Sequence, residues 1–189
     1  QTKAQRMRFY LIYSKAMNKG NIEFTSDSII KEVAEYYDDH GSDYEKMTSH
    51  YLLGCAYRDM GDAPTALRCL YEATKYAEKN KSSYRMLSYI HGQMAELLDK
   101  QALVENELRE LNIAHHFAIM AGDSANAIAI YNYKASAYML INKMDSAVLI
   151  NEKAVRMYKN MNLKKYAAQI CSDCIQYYIH QNNFSKAKA

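Results

Sequence analysis

The chain has 189 residues, about half of them apolar, with 24 Lys plus Arg against 21 Asp plus Glu and a formal net charge of +3. That length and apolar fraction support a sizeable core and exclude wholesale disorder, while one Pro and six Gly exclude collagen-like or linker sequence. The near-balanced charge argues against direct nucleic-acid binding, no stretch approaches eighteen uncharged apolar residues, and the N-terminus does not read as a signal peptide.

Along the chain, apolar residues recur at three- and four-residue spacing. Tyr51, Leu52, Cys55 and Ala56 do so, as do Leu67, Leu70, Tyr71 and Thr74, and this spacing predicts helices. Strand signals are nearly absent: no Asn-Gly or Asp-Gly turn separates alternating runs. Breaks fall at Lys19-Gly20-Asn21, His40-Gly41-Ser42, Met60-Gly61-Asp62, Glu78-Lys79-Asn80, Ala121-Gly122-Asp123, Ile141-Asn142-Lys143 and Asn160-Met161-Asn162, leaving helix-length segments between them. Gly and Asn suit the left-handed position that ends helices. Thr25-Ser26-Asp27-Ser28 reads as a helix start, and Pro64 belongs in a first turn, where its missing N–H costs nothing. The chain opens on Gln1-Thr2-Lys3 and closes on the helix opening Phe184–Ala189, so it is expected to be a piece of a longer protein.

Sliding the chain on itself by 40 or 41 residues reveals a repeat. The shift superposes Ala73, Ala114 and Ala154; Tyr57, Leu98, Tyr138 and Tyr178; Gly54, Ala95 and Ala135; and Gly61, Ala102, Asn142 and Asn182. Ala66, Ala147 and Ala187 also align, with Glu107 as the exception. A poorer copy precedes these, with Tyr10, Ser14, Met17, Asn21 and Ala34 in equivalent places and about one inserted residue near Phe24-Thr25-Ser26. The pattern specifies two antiparallel helices per unit. A Gly or Ala on the first lets the second approach, and alanines on the second contact the next unit. One such hairpin cannot bury its apolar face alone, so the units stack.

These residues resemble the tetratricopeptide repeat (TPR). His50, Leu53, Gly54, Tyr57, Gly61, Ala66, Leu70 and Ala73 occupy its pattern places, with His50 for the usual Trp and Leu70 for the aromatic. A weaker unit has His91, Met94, Ala95, Leu98, Ala102, Glu107, Leu111 and Ala114; the next has Tyr131, Ala135, Tyr138, Asn142, Ala147, Asn151 and Ala154. The resemblance implies an all-α right-handed solenoid of about four and a half hairpins. It forms one domain over 1–189, with units near 4–41, 44–80, 83–121, 124–161 and a truncated 164–189. The period exceeds the usual TPR length by six or seven residues, roughly one turn per helix. That length, the Tyr36–Gly41 stop and the Tyr57–Asp62 turn are similar to extended repeats of bacterial lipoprotein or membrane-tethered regulators. An extracytoplasmic, periplasmic location is therefore favoured, with a cytoplasmic one as the alternative.

Residues that could carry chemistry mostly read as packing. Cys171-Ser172-Asp173-Cys174 lacks a second pair at metal spacing, and both cysteines fall at buried positions of a first helix. Cys55 and Cys69 lie on opposite helices of one hairpin, which leaves a disulfide geometrically open. His115 and His116 point about 100° apart and do not easily share a metal. His50 and His91 hold the same repeat position, which favours a structural role. Carboxylates such as Asp38-Asp39 sit at a helix end, where solvation is the default. No phosphate-loop, dinucleotide or nucleophile-elbow motif occurs. Most tyrosines fall in phase with the repeat, packing with the hydroxyl toward the surface. No enzyme activity, cofactor or metal is expected.

The resemblance also implies a concave groove lined by first helices. Its candidates are Lys15 and Asn18; Tyr51, Cys55 and Arg58; Gly92, Glu96 and Asp99; Asn132, Ser136 and Met139; and Ser172 and Gln176. The set lacks the Lys and Asn run that clamps a terminal carboxylate in chaperone-binding members. The natural ligand is an extended peptide or partner helix. The expected function is protein or peptide binding as the sensing region of a bacterial regulator. The alternatives are a cytoplasmic regulator that binds a signalling peptide and a structural scaffold. Without the rest of its last hairpin, the C-terminal end is a candidate surface for homodimer formation.

Overall fold

The computed structural model describes residues 2–77 and 83–188. Ten helices follow one another within them: α1 (Lys3–Lys19), α2 (Ser28–His40), α3 (Asp43–Asp59), α4 (Ala63–Ala77), α5 (Tyr84–Asp99), α6 (Val104–Met120), α7 (Ser124–Leu140), α8 (Met144–Asn160), α9 (Lys164–His180) and α10 (Phe184–Lys188). No strand occurs among the described residues. The break expected at Glu78-Lys79-Asn80 lies outside them. Consecutive helices pack as pairs, and each second helix packs on the first helix of the following pair. The result is an α-solenoid.

Local chemistry sets the helix starts. At α1 and α3, Thr2 and Ser42 accept the Gln5 and Glu45 N–H groups, and those side chains reach back to the Thr2 and Ser42 N–H groups. Each box satisfies donors that the first turn would leave without partners. Asp62 accepts the Thr65 N–H at 3.2 Å beside Pro64 in the first turn of α4. The start expected at Thr25–Ser28 occurs at Ser28, whose N–H donates to Ser26 Oγ at 3.2 Å. Asp27 instead accepts the Tyr57 hydroxyl at 2.7 Å, tying α2 to α3.

The turn inside each pair carries the repeat most clearly. Asn21, Gly61, Ala102, Asn142 and Asn182 all take left-handed φ, between 52° and 82°. At each, the next residue's N–H reaches back five residues, as in Asp62 to Tyr57 O at 2.9 Å and Lys143 to Tyr138 O at 2.9 Å. This is the Schellman closure, and it needs a residue that tolerates positive φ. Lys100-Gln101-Ala102-Leu103 contains no Gly, Asn or Pro, so composition does not mark this break; the alignment of Ala102 with Gly61 does.

The small positions do what the spacing requires. A Cβ on Gly54 would lie 2.8 Å from Leu70 Cγ and 3.2 Å from Ala66 O, so α3 and α4 meet there at backbone distance. Ala66, Ala73, Ala95, Ala114, Ala135, Ala147 and Ala154 are all buried. The core is a chain of local clusters. One joins α1, α2 and α3 around Met7, Val33 and Leu52, and another joins α3, α4 and α5 around Met47, Leu70 and Ile90. The cluster between α5, α6 and α7 is built largely of alanine: Ala95, Ala114, Ala118 and Ala127 with Leu111 and Ile130.

Glu107 sits in this thinner region. It is only 4 % exposed, and its Oε2 has no hydrogen-bond partner within the protein. Burial first, and the charge of Asp99 second, push its carboxyl up from 4.5 to about 7.

Three stability changes follow. Gly54→Ala places a methyl against Leu70 and is expected to cost about 1–2 kcal/mol in denaturant titration. Ala102→Gly relieves an alanine at φ 56° and is expected to add about 0.5–1 kcal/mol. Glu107 binds its proton more tightly folded than unfolded, so wild type loses stability as pH rises from about 4.5 through 7. Glu107→Ala restores the repeat's own residue and removes that loss. Its stability relative to wild type is expected to rise across this pH window, reaching about 1–3 kcal/mol by thermal melts near pH 8.

Candidate partner-binding groove

First helices line two adjoining clefts. One, of about 420 Å³, is bounded by Asn18 on α1, Asn21, Ile22 and Glu23 in the turn after it, Tyr51, Arg58 and Asp59 on α3, and Gln93, Glu96 and Lys100. The second, of about 720 Å³, lies over α5, α6 and α7 and is reached by Tyr51, Gly92, Glu96, Asp99, Glu107 and Tyr133. Tyr51, Gln93, Glu96 and Lys100 line both, so the two form one continuous groove. A third, smaller cleft of about 190 Å³ lies between α7, α8 and α9 and includes Asn132, Ser136 and Met139.

Of the groove candidates, Asn18, Tyr51, Arg58, Glu96 and Asp99 therefore line the continuous groove, together with Gly92. Asn132, Ser136 and Met139 form a separate site. Lys15 and Gln176 line none of the three. The Lys15 ammonium donates to the Tyr44 hydroxyl at 2.9 Å and lies 5.3 Å from the centre of that ring. Gln176 and Ser172 are exposed on α9.

Arg58 is less available than its register position suggests. It donates to Asp59 Oδ1 through Nε at 2.9 Å and Nη2 at 2.7 Å, and to Gln93 Oε1 through Nη1. Asp59 Oδ2 accepts the Phe24 N–H at 3.0 Å. Arg58 thus joins the α1–α2 turn, α3 and α5 in one polar network. Tyr51 stays a neutral phenol because burial, with Cys55 beside it, pushes its pKa up. Cys55, expected on the groove wall, lines none of the three clefts and is instead buried in the core cluster of α1, α2 and α3, where burial raises its thiol to about 11.

The groups considered for chemistry occupy packing roles. His50 hydrogen-bonds Asp38 at 2.8 Å and stacks on Tyr76 at 5.9 Å. His91, at the same repeat position, bonds Glu110 at 2.6 Å and stacks on Phe117, also at 5.9 Å. Asp38 is therefore engaged, where solvation alone was expected of it. His115 packs on Tyr131 and His116 on Phe117, facing different neighbours. Among the described residues, no group of three or more His, Cys, Asp or Glu is placed to hold a metal ion. Cys55 and Cys69 are free thiols within one apolar cluster, so the disulfide that the sequence left open does not form. Cys174 is buried as expected, but Cys171 lies half-buried at the rim of its cluster. The tyrosine hydroxyls at the repeat position reach surface acids: Tyr57 donates to Asp27 and Tyr178 to Glu152, at 2.7 and 2.6 Å.

Gln93, Lys100, Tyr89, Tyr133 and Glu107 line the groove but are absent from the sequence-derived set. Gln93, Glu96 and Lys100 share one helical stripe beside the stripe of Gly92, Glu96 and Asp99, so a wider groove face would have included them. Glu107 carried its own signal, a charged residue at a small buried position of the repeat.

No protein-family model and no curated protein matches the chain. Solved structures do. The chain superposes on kinesin light chain-like, nearly identical TPR-like repeats from Podosopora anserina with a TM-score of 0.75 and 14% identity, covering 100% of this chain and 92% of that one. A single-substitution form of that protein gives the same values. BtubC (BKLC) from P. vanneervenii matches with a TM-score of 0.65 and 15% identity, covering 100% and 88% of the two chains. At these identities the likeness concerns the fold: the chain has the α-solenoid architecture of TPR-like repeat proteins.

Proposed function

We propose that the chain is a non-catalytic module that binds an extended segment of a protein partner along its first helices. The observation that carries this is the continuous groove running from Asn18 through Tyr51 to Asp99, walled by polar side chains over an apolar base of Leu111 and Ile130. Such a surface offers hydrogen bonds to a peptide backbone and room for alternate side chains. The packing roles of His50, His91, His115 and the cysteines support a reading without catalysis. The period of forty to forty-one, kept by the left-handed turns, supports the finer reading of an extended-repeat regulator whose groove senses a partner.

Selection of a displayed random peptide library on the immobilised protein tests the groove. Asn18→Ala with Glu96→Ala changes its wall without touching the core, and Tyr71→Ala alters an exposed site on α4. Selected peptides are expected to lose at least about tenfold in affinity in the groove variant, about 1.4 kcal/mol, and nothing in Tyr71→Ala. Peptides indifferent to the groove variant, or no enrichment at all, would overturn the reading.

A further inference from the structure

The wide part of the groove has an uneven electrostatic character. Glu96 and Asp99 reach it from α5, Lys100 from the turn that follows, and Glu107 from α6. Tyr51 on α3, Tyr89 on α5 and Tyr133 on α7 complete its titratable lining. Lys100 Nζ already pairs with Glu96, four residues before it, at 2.9 Å. Asp99 makes no ion pair among the described residues, and Glu107 Oε2 is buried without a partner. Two carboxylates thus border a cleft of about 720 Å³ with no cation of the protein assigned to them.

Packing does not require the carboxylate at Glu107. The aligned positions hold Ala66, Ala147 and Ala187, and Ala66 and Ala147 are buried without a polar partner to satisfy. A buried carboxylate that lacks a partner opposes folding. Here its cost is borne beside an open cleft, where an incoming donor can reach it. The polar groups deeper in the wall are already satisfied: Asn126 Nδ2 donates to Ser88 Oγ at 2.7 Å, and Ser88 donates to Ala114 O at 2.8 Å. Glu107 is what remains to be matched.

We propose that this cleft receives an arginine or lysine side chain projecting from an extended segment of a protein partner, with Glu107 and Asp99 as its carboxylate counterparts. The proposal deepens the peptide-groove reading and rests on it. Three observations favour this occupant. The unpartnered charge is negative. A metal ion is disfavoured, since no three acidic, His or Cys groups among the described residues converge at metal-binding distance. The lining combines tyrosine rings with the aliphatic side chains of Leu111 and Ile130, which suits a long stem ending in a cationic head. A cation at Glu107 also replaces the hydration that burial removes, so its charge-assisted hydrogen bond is strong.

Pools of short peptides, degenerate except for a fixed central residue, provide the test. The central residue is arginine, lysine, citrulline, norleucine or glutamate, and each pool is offered to the whole chain near pH 8 with retention read by mass spectrometry. The arginine and lysine pools are expected to be retained about tenfold better than citrulline. That preference is expected to fall in Glu107→Gln, in Asp99→Asn, and in wild type near pH 5.5, where Glu107 holds its proton. Asp99 is exposed, so its variant keeps the test valid even if Glu107→Gln alters stability. Equal retention of all pools, or a cationic preference that survives in Asp99→Asn and a folded Glu107→Gln, overturns the proposal and leaves the peptide groove standing. Retention of no pool overturns the groove reading and this proposal together. Free arginine binding as tightly as the arginine pool assigns the cleft to a small amine and overturns the polypeptide occupant.

Discussion

A left-handed residue closes each helix pair, and the solenoid depends on that repeated geometry. Asn21, Gly61, Ala102, Asn142 and Asn182 stand forty or forty-one residues apart, each with positive φ. From the second pair onward, positive φ at the turn lets the chain reverse within three or four residues while the returning N–H groups bond the last carbonyls of the first helix. With the turn so short, the two helices have to pack against each other from their first turns. Small residues then determine how closely they come, as Gly54 does against Leu70 and Ala66. The remaining apolar face passes to the next pair, so the core is a succession of local clusters.

Function in such an architecture lies in the departures from the repeat. The third pair carries Leu98 where the second, fourth and fifth carry tyrosine, and Glu107 where those three carry alanine. Its cluster is alanine-rich, and the large cleft opens over it. A repeat unit that packed like its neighbours would offer less volume and no unmatched charge. The histidines make the opposite point. His50 and His91 replace the large aromatic of the pattern, yet each keeps the packing role by stacking on Tyr76 or Phe117 and bonding an acid.

Arg58 illustrates how neighbours redefine a surface residue. Its register puts it in the groove, and it is there. Asp59 and Gln93 take most of its donors, and Asp59 also receives the Phe24 N–H. The charge nearest one end of the groove is thereby largely neutralised. Asp99 and Glu107, at the other end, are not. The asymmetry comes from helices far apart in sequence.

The sequence by itself determined the helices, their pairing and the turn positions. Those properties rest on local chemistry and on a period that a chain shows when compared with itself. Pro64 is legible as a first turn, and Ala102 as a turn through its alignment with Gly61. The sequence also placed Asn18, Tyr51, Arg58, Glu96 and Asp99 on first helices. Only the tertiary structure decided that these five converge, that Asn132, Ser136 and Met139 form another site, and that Lys15 and Gln176 stand apart. It alone showed Arg58 engaged, Asp38 bonded to His50, and Glu107 buried at a cleft without a partner. Those outcomes depend on the distance between consecutive helix pairs and on which side chains from one pair meet the next. Periodicity constrains which face a residue occupies, but not what stands opposite it.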